Sequence, residues 1–240
     1  MRPVFIFIFF ALISFPAFSQ KDIINDPDVE RRPLSESFTS IKISDGIDLF
    51  LSQSDKEQVA ISAGDAHTKE AIKTVIEKGV LHIYYEGDKG WAGNWKNRKL
   101  RAYVSFRTLE RLQASGAADI QVSGTISGNN LLMALSGSSD FKGAVSVSNL
   151  SIELSGASDV LIAGKATIVS IVSSGASDVK GYDLVTDICT ANASGASDIN
   201  ITVNKEMTAN ASGASDIFYK GTAVLKASHT GGASTIAKKS

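Results

Sequence analysis

The chain has 240 residues, of which 43% are hydrophobic and 20% are charged, with 24 lysines and arginines against 25 aspartates and glutamates. This balance argues against a nucleic-acid-binding protein, which would carry a basic surplus or patch, and the apolar content excludes a wholly disordered chain. The single cysteine, Cys189, excludes a disulfide within the chain and a cysteine-based metal site.

Residues 1–19 have the organisation of a secretory signal peptide. Arg2 is their only charged residue, a long apolar run follows it, and the small residues Ala17 and Ser19 precede Gln20. This pattern predicts cleavage before Gln20, because the apolar run is shorter than the roughly 20 residues that a membrane-spanning helix needs. No later stretch is apolar enough to span a bilayer as a helix. We therefore expect an exported protein, periplasmic or on the cell surface, with no transmembrane span after cleavage.

The next two segments are predicted to be a flexible entry, residues 20–37, and a β-rich N-terminal cap, residues 38–110. Apolar residues at helical spacing predict one short helix over Ala66–Lys78 of the cap, and Gly79 is a suitable stop. Such a cap would cover the open end of a stacked β structure. Five strands are predicted in the cap, at Phe38–Ser44, Ile47–Leu51, Val59–Ala63, Leu81–Tyr85 and Leu100–Phe106.

A glycine- and asparagine-rich segment from Gly87 to Lys99 holds both tryptophans of the chain. It places Trp91 and Trp95 beside Lys96 and Arg98. Amphipathic rings on such a loop can stack on sugar rings, and the basic groups would suit acidic sugars. These four residues are therefore candidate ligand-binding residues. The alternative is that both tryptophans pack onto the core of the cap, since tryptophan is usually largely buried.

Residues 111–240 are built on a repeat of about twenty residues. Polar and apolar residues alternate before each copy of the motif S-G-A-S-D, and an apolar residue follows each motif aspartate, as in half-buried strands. Strand, tight turn, second strand and return make one coil, and the coils must stack because neither strand buries its apolar face alone. The motif or a variant of it begins at Ser115, Ser136, Ser155, Ser174, Ser194, Ser212 and Gly231, in steps of 21, 19, 19, 20, 18 and 19 residues.

The predicted fold is therefore all-β: a right-handed parallel β-helix or β-solenoid, preceded by the β-rich cap with one short helix. Its coils should contain about 19–20 residues. Equivalent residues of successive coils would lie about 4.8 Å apart, so seven coils would form a rod of roughly 30 Å. The right-handed winding follows from the crossover preference of parallel strands. A β-sandwich or a propeller is the alternative, although a propeller blade needs about 40 residues.

Three segments resemble the head GIN domain family of putative autotransporter adhesins, exported bacterial proteins that are common in Bacteroidetes. They are FTSIKISDGIDLFLSQSDKEQVAISA, IKTVIEKGVLHIYY and the repeated S-G-A-S-D. The Gly-Ile-Asn signature of the family stands here as Gly46-Ile47-Asp48, and the resemblance covers roughly residues 38–225. It implies an exported, all-β, solenoid-like domain with a surface or adhesion role, and it supplies no catalytic residue.

The motif aspartates should form one column along an edge of the rod. Carboxylates stacked at about 4.8 Å repel each other by about 1 kcal/mol per neighbouring pair even at the dielectric constant of water, so this repulsion must be offset. The main expectation is structural, with each aspartate and its serine accepting backbone N–H bonds within the turn. Calcium binding and an edge that binds another ligand are the alternatives. The six residues are Asp119, Asp140, Asp159, Asp178, Asp198 and Asp216.

Patterns that would indicate catalysis are weak. His67, His82 and His229 are far apart and do not form an H-E-x-x-H arrangement, and the repeated serines do not match the G-x-S-x-G motif. Cys189 falls on an inward position and is expected to be a small core residue. Polysaccharide lyases and hydrolases also use β-helices with paired acids, which the aspartate column could imitate, but fold alone does not imply function.

The sequence thus predicts a non-enzymatic, exported β-solenoid with no cofactor, whose long flat surface binds a glycan or another component of the cell envelope. A carbohydrate-active enzyme and an envelope scaffold without a ligand are the alternatives. A cleft that interrupts the repeat surface, with acids at catalytic separation, would favour the enzyme. An uninterrupted face would favour binding or scaffolding.

Overall fold

The computed structural model of the protein describes residues 28–87 and 99–240. In them the chain winds as a β-solenoid of about seven turns with coils of about 19 residues, which confirms the solenoid predicted from the repeat. The elements in chain order are β1 (Glu30–Arg32), β2 (Ser40–Ile43), β3 (Asp48–Gln53), β4 (Gln58–Ser62), α1 (Ala66–Ala71), β5 (Ile72–Glu77), β6 (Val80–Tyr85), β7 (Arg101–Phe106), β8 (Arg111–Ala114), β9 (Asp119–Leu135), β10 (Asp140–Leu154), β11 (Val160–Ser173), β12 (Val179–Ala193), β13 (Asp198–Ala211), β14 (Asp216–Lys220), β15 (Val224–Thr230) and β16 (Thr235–Lys238).

The central coils are long strands that stack in parallel. Strands β9 to β13 contain 14 to 17 residues each, and each pairs in parallel with the next. Phe141, for example, pairs with Ile120 on one side and with Val160 on the other. All three side chains are at most 1% exposed, so the apolar residue that follows each motif aspartate forms a continuous inner column. Alternation of side chains along a strand sends the intervening residues to the surface.

The first strands of the chain lie inside the same stack. β2 pairs in parallel with both β6 and β8, and β3 pairs in parallel with both β7 and β9. The antiparallel strands β1 and β5 flank this end, pairing with β4 and β6 respectively. The five strands predicted for the cap are confirmed as β2, β3, β4, β6 and β7, and β1 lies within the segment expected to be a flexible entry.

The predicted helix is present, but it is half as long as its apolar spacing suggested. Helix α1 ends at Ala71, so the prediction that it could extend to Lys78 is wrong. The following residues form β5 instead, because they are rich in β-branched side chains and pair with β6. Lys78 and Gly79 have φ angles of 52° and 74°, which suit the two-residue turn of a β-hairpin. Gly79 therefore closes a hairpin and does not end a helix.

In the part of the chain that the structure describes, no helix is long and apolar enough to cross a membrane.

Candidate functional site

The S-G-A-S-D turns stack directly upon one another along one edge of the solenoid. The Ala157 N–H donates to the Gly137 carbonyl at 2.8 Å, and the Ala176 N–H donates to the Gly156 carbonyl at the same distance. Gly156 has a φ of 81°, and a Cβ atom on it would lie 2.4 Å from the carbonyl oxygen of Gly137. The turn therefore needs glycine both for its backbone conformation and for the close approach of the preceding coil.

The fourth residue of each turn forms an internal serine column. These side chains are fully buried and, at most positions, both donate and accept hydrogen bonds. The Ser158 hydroxyl donates to the Ser155 carbonyl at 3.2 Å and accepts the Ser139 N–H at 3.3 Å. The column therefore links the turns and leaves its buried polar atoms paired, as buried polar groups require. Its members are Ser139, Ser158, Ser177, Ser197 and Ser215.

The aspartate column lies on the outer side of the same turns. The Asp159 N–H donates to Oδ1 of Asp140 at 3.1 Å, and the Asp178 N–H donates to Oδ1 of Asp159 at 3.3 Å. The same bond joins Asp198 to Asp178 and Asp216 to Asp198. These donors lie in the adjacent coil, so the expectation that the aspartates accept N–H groups of their own turn is wrong. The spacing of the coils places each aspartate carboxylate beside the backbone N–H of the equivalent aspartate in the adjacent coil.

The aspartate column has an earlier member that the sequence reasoning missed. Leu49 pairs with Ile120, which sets Asp48 beside Asp119, and Asp48 also pairs with Arg101 of β7. Burial raises the pKa of Asp48, and the negative charge of Asp119 raises it further, while Arg101 and the Asp119 N–H act in the opposite direction. The only sequence signal was that Gly46-Ile47-Asp48 also ends in aspartate and is followed by an apolar residue.

A lysine offsets part of the charge in the middle of the column. Nζ of Lys180 lies 2.9 Å from Oδ2 of Asp159 and 3.8 Å from Oδ2 of Asp178. The hydrogen bond with Asp159 raises the pKa of Lys180, and the nearby aspartates add to this effect. All three side chains are at least a third exposed, so solvent weakens the attraction. Among the residues described, no three His, Cys, Asp or Glu side chains are grouped so that they could hold a metal ion.

A shallow groove runs across the coils on the strands that lead into the turns. Its outward side chains come from successive coils. Strand pairing places Lys42 beside Gln113, Gln113 beside Ala134, Ala134 beside Glu153, and Glu153 beside Val172. The groove has a volume of about 620 Å³. We call this feature, defined by these five residues, the axial groove. The axial groove lies where each coil bends into its turn. The sequence repeat alone did not reveal this groove.

A smaller depression of about 340 Å³ adjoins the axial groove at Lys42 and is lined by Asp45, His82 and Tyr84. His82 pairs with Lys42, so the polar lining extends by one more coil. Within the described residues, no hydrogen bond or ion pair involves the side chains of Lys42, His82, Gln113 or Glu153. Their polar groups are thus available to a ligand, whereas most of the column aspartates bind neighbouring backbone.

The candidate tryptophan loop lies outside the described residues, together with Trp91, Trp95, Lys96 and Arg98. The described residues on either side of it take part in backbone hydrogen bonds. The Glu86 N–H donates to the Ala71 carbonyl at 2.8 Å, and the Asp48 N–H donates to the Leu100 carbonyl at 2.9 Å.

The residues considered for catalysis are not brought together. His67 lies on α1, His82 on β6 and His229 on β15. Cys189 is 1% exposed, and burial raises the pKa of its thiol to about 12. It is a core residue, as its inward position predicted.

The sequence matches, over residues 37–223, the family described as putative auto-transporter adhesin, head GIN domain. The chain belongs to the head GIN domain family. This confirms the resemblance seen in the sequence. No curated protein matches the chain.

Three crystal structures show the same fold as this head GIN domain protein. Their sequence identities to it are low, so the likeness concerns the fold alone. A putative adhesin from Bacteroides fragilis has 19% identity and a TM-score of 0.80, with 89% of this chain and 98% of that chain covered. A putative adhesin from Parabacteroides merdae has 17% identity and a TM-score of 0.71, with coverages of 88% and 95%. A putative lipid binding protein from Parabacteroides distasonis has 19% identity and a TM-score of 0.64, with coverages of 88% and 98%.

Proposed function

We propose that this head GIN domain protein is an exported, non-catalytic binding protein of the adhesin type, which recognises a glycan or another component of the cell envelope. Its family and the names of the putative adhesins that share its fold support the adhesin assignment. The pattern of residues 1–19 supports export. N-terminal sequencing of the protein recovered from cells should begin at Gln20, and a retained Met1 would contradict export with cleavage.

The observation that carries this proposal is the axial groove, which continues across several coils without interruption. A groove with an apolar floor and a few polar groups is the usual form of a ligand site. The acids of the axial groove and of the adjoining depression are poorly placed for glycoside hydrolysis, because Glu153 and Asp45 lie three coils apart, about 14 Å along the axis. Paired catalytic carboxylates are typically separated by about 5 to 9.5 Å.

A carbohydrate-active enzyme is the second candidate, favoured by the close spacing of the aspartate column. Carboxylates one or two coils apart would fall about 4.8 or 9.6 Å from each other, which brackets catalytic separations. However, Asp140, Asp159, Asp178 and Asp198 each use Oδ1 to accept a backbone N–H from the adjacent coil. These carboxylates are therefore held in the packing of the turns, which argues against a role at the scissile bond of a substrate.

The two candidates and a ligand-free scaffold are separated by one experiment. Mature protein, residues 20–240, is immobilised and incubated with an envelope extract, including its polysaccharide, from the producing bacterium. The binding function predicts that polysaccharide is retained and that its chain length is unchanged. Shortened chains would favour the enzyme, and no retention of any envelope component would favour the scaffold.

The tryptophan loop gives a separate test of glycan stacking. Loss of a ring that stacks on a sugar removes a large contact area, so Trp91→Ala/Trp95→Ala should bind fewer members of a glycan array than the native protein does. Lys96→Ala/Arg98→Ala should selectively lose acidic glycans. An unchanged array for the tryptophan variant would remove both residues from the binding site.

A further inference from the structure

We propose that the axial groove binds a linear, neutral polysaccharide that lies parallel to the solenoid axis, with about one sugar to each coil. This proposal rests on the proposed glycan-binding function and adds to it the site, the orientation and the charge class of the ligand. The aspartate column, on the other side of the turns, is assigned a structural role.

The dimensions of the groove favour an extended chain. Its five outward side chains belong to five successive coils, from Lys42 on β2 to Val172 on β11, so they extend over about 19 Å along the axis. An extended polysaccharide advances by roughly the length of one sugar ring per residue, which is close to the coil spacing. A ligand in this orientation could therefore make the same kind of contact at each step.

The lining offers the two kinds of contact that a sugar needs. Ala134 contributes a small apolar surface, and Val172 is 45% exposed, so both can pack against the C–H face of a ring. Lys42, Gln113 and Glu153 supply donors and acceptors for hydroxyl groups, and these groups have no side-chain partner among the described residues. Apolar contact surface combined with a few well-placed polar groups is typical of ligand-binding sites.

The charge of the groove favours a neutral ligand. Lys42 is accompanied by Asp45 at one end and by Glu153 three coils further on, so neither sign dominates. By contrast, the aspartate column presents seven carboxylates counting Asp48, with Lys180 as an interspersed partner. A polyanion would be repelled by that edge and a polycation would be drawn to it, since a surface of one sign attracts ligands of the opposite sign.

The test uses mature protein and two matched tryptophan substitutions. Ala134→Trp fills the middle of the groove, whereas Leu161→Trp adds the same ring at an outward position on a different row, where Leu161 is already 45% exposed. Binding to soluble β-glucan, xylan and mannan, and to polygalacturonate as the acidic probe, is measured by affinity electrophoresis. Gln113→Ala/Glu153→Ala provides a second groove variant, and melting temperatures establish that each variant is folded.

We expect Ala134→Trp to weaken binding of at least one neutral polysaccharide by tenfold or more, and Gln113→Ala/Glu153→Ala to weaken it measurably. Leu161→Trp should bind like the native protein, and added salt should change the affinity little, because a neutral ligand forms no ion pairs for salt to screen. Equal binding by native protein and Ala134→Trp would overturn the groove assignment while leaving glycan binding intact. A preference for polygalacturonate that Ala134→Trp abolishes would overturn the neutral class.

Three further outcomes separate this proposal from the proposed function. In the first, the native protein retains envelope polysaccharide while Ala134→Trp weakens the binding of none of the neutral probes. In that case the proposed function stands and the groove proposal fails. If groove-dependent retention of envelope material disappears after the material is treated with protease, the occupant is a protein, and the polysaccharide proposal is overturned. If the native protein retains no glycan at all, the glycan function itself is wrong.

Discussion

Gly156 of a motif turn and Gly124 of strand β9 illustrate how glycine can be required for two separable reasons. Gly156 and Gly124 have nearly equal φ angles, 81° and 79°. A Cβ on Gly156 would lie 2.4 Å from a backbone oxygen of the preceding coil, whereas a Cβ on Gly124 would have no atom within 4 Å. The contributions of backbone conformation and of coil spacing to stability can therefore be tested separately in the same protein.

We predict that Gly156→Ala destabilises the protein more than Gly124→Ala does. Both variants incur the left-handed backbone penalty of roughly 1–2 kcal/mol, but only Gly156→Ala must also push two coils apart. The free energy of unfolding of each variant, measured by urea denaturation, should show this order. Equal losses of unfolding free energy in the two variants would mean that neighbouring coils can move apart without a loss of stability. That result would contradict the prediction.

Asp48 should make stability depend on pH in a direction that is unusual for an aspartate. Its pKa in the folded protein is raised above the ordinary value of 3.8, chiefly by burial, so ionising it costs stability at neutral pH. Asp48→Asn should therefore have a higher melting temperature than native protein at neutral pH. The difference should shrink as pH falls through the raised pKa, and it should vanish below 3.8.

The control for this experiment is the exposed residue Glu36. Glu36→Gln should follow the native pH profile throughout. A lower melting temperature for Asp48→Asn at neutral pH would show that the Asp48 charge is net stabilising, through Arg101 or the Asp119 N–H, and would contradict the prediction.

At the scale of the element, each turn is fixed by bonds to its neighbours more than by bonds within itself. The buried Ser158 hydroxyl joins its own turn to the preceding one. Ser158→Ala would leave the buried Ser139 N–H without that acceptor, and an unpaired buried polar group costs about 1–3 kcal/mol. We expect a loss of stability in this range, measured by urea denaturation. The matched exposed change, Ser155→Ala, should alter stability by no more than about 0.5 kcal/mol.

The repeat made the coils predictable because the turn and its flanking alternation occur in the sequence again and again. The cap was harder. Ala71, Ile72, Val75 and Ile76 satisfy helical spacing, yet β-branched residues and a hairpin partner decide the second half in favour of β5. A short apolar run cannot by itself distinguish the two.

The functional surfaces were less predictable, since they depend on neighbours that are distant in sequence. Asp48 and Asp119 lie side by side in the structure, but the strands of the cap separate them in the chain. The axial groove likewise combines Lys42 with Glu153. The motif revealed which residues repeat, but the folded cap determines where the column begins and which residues line the groove.

At the scale of the whole molecule, the stack has a protected middle and an exposed end. Strands β10 to β12 each have a parallel neighbour on both sides. In β15, six of seven residues are exposed. Because repeat structures are stabilised mainly by contacts between nearest neighbours, the last coil should open first.

Hydrogen exchange of the native protein, followed by mass spectrometry, should reveal this gradient. Amides of β15 should exchange much faster than those of β10 to β12, since local opening precedes global unfolding at the weakly packed end. Uniform exchange along the chain would instead indicate that the solenoid unfolds only as one cooperative unit.

Calcium removal tests the role of the aspartate column in the whole fold. Since column carboxylates already accept backbone N–H bonds, we expect EDTA to leave the melting temperature of purified protein unchanged. A fall that added calcium reverses would instead assign the column a cation and would make the structural role secondary.

The in-register stacking of coils makes the length of this protein adjustable in whole units. Residues 155–173 run from one motif to the next. They pair in parallel with both neighbouring coils, in continuous register with β10 and with one register shift against β12, between Leu161 and Gly164. Copying this segment in tandem would insert one coil and move the two ends of the molecule apart by about 4.8 Å, without changing either end. Gene duplication could thus vary the length of the solenoid in fixed steps, while every turn keeps neighbours of the same kind.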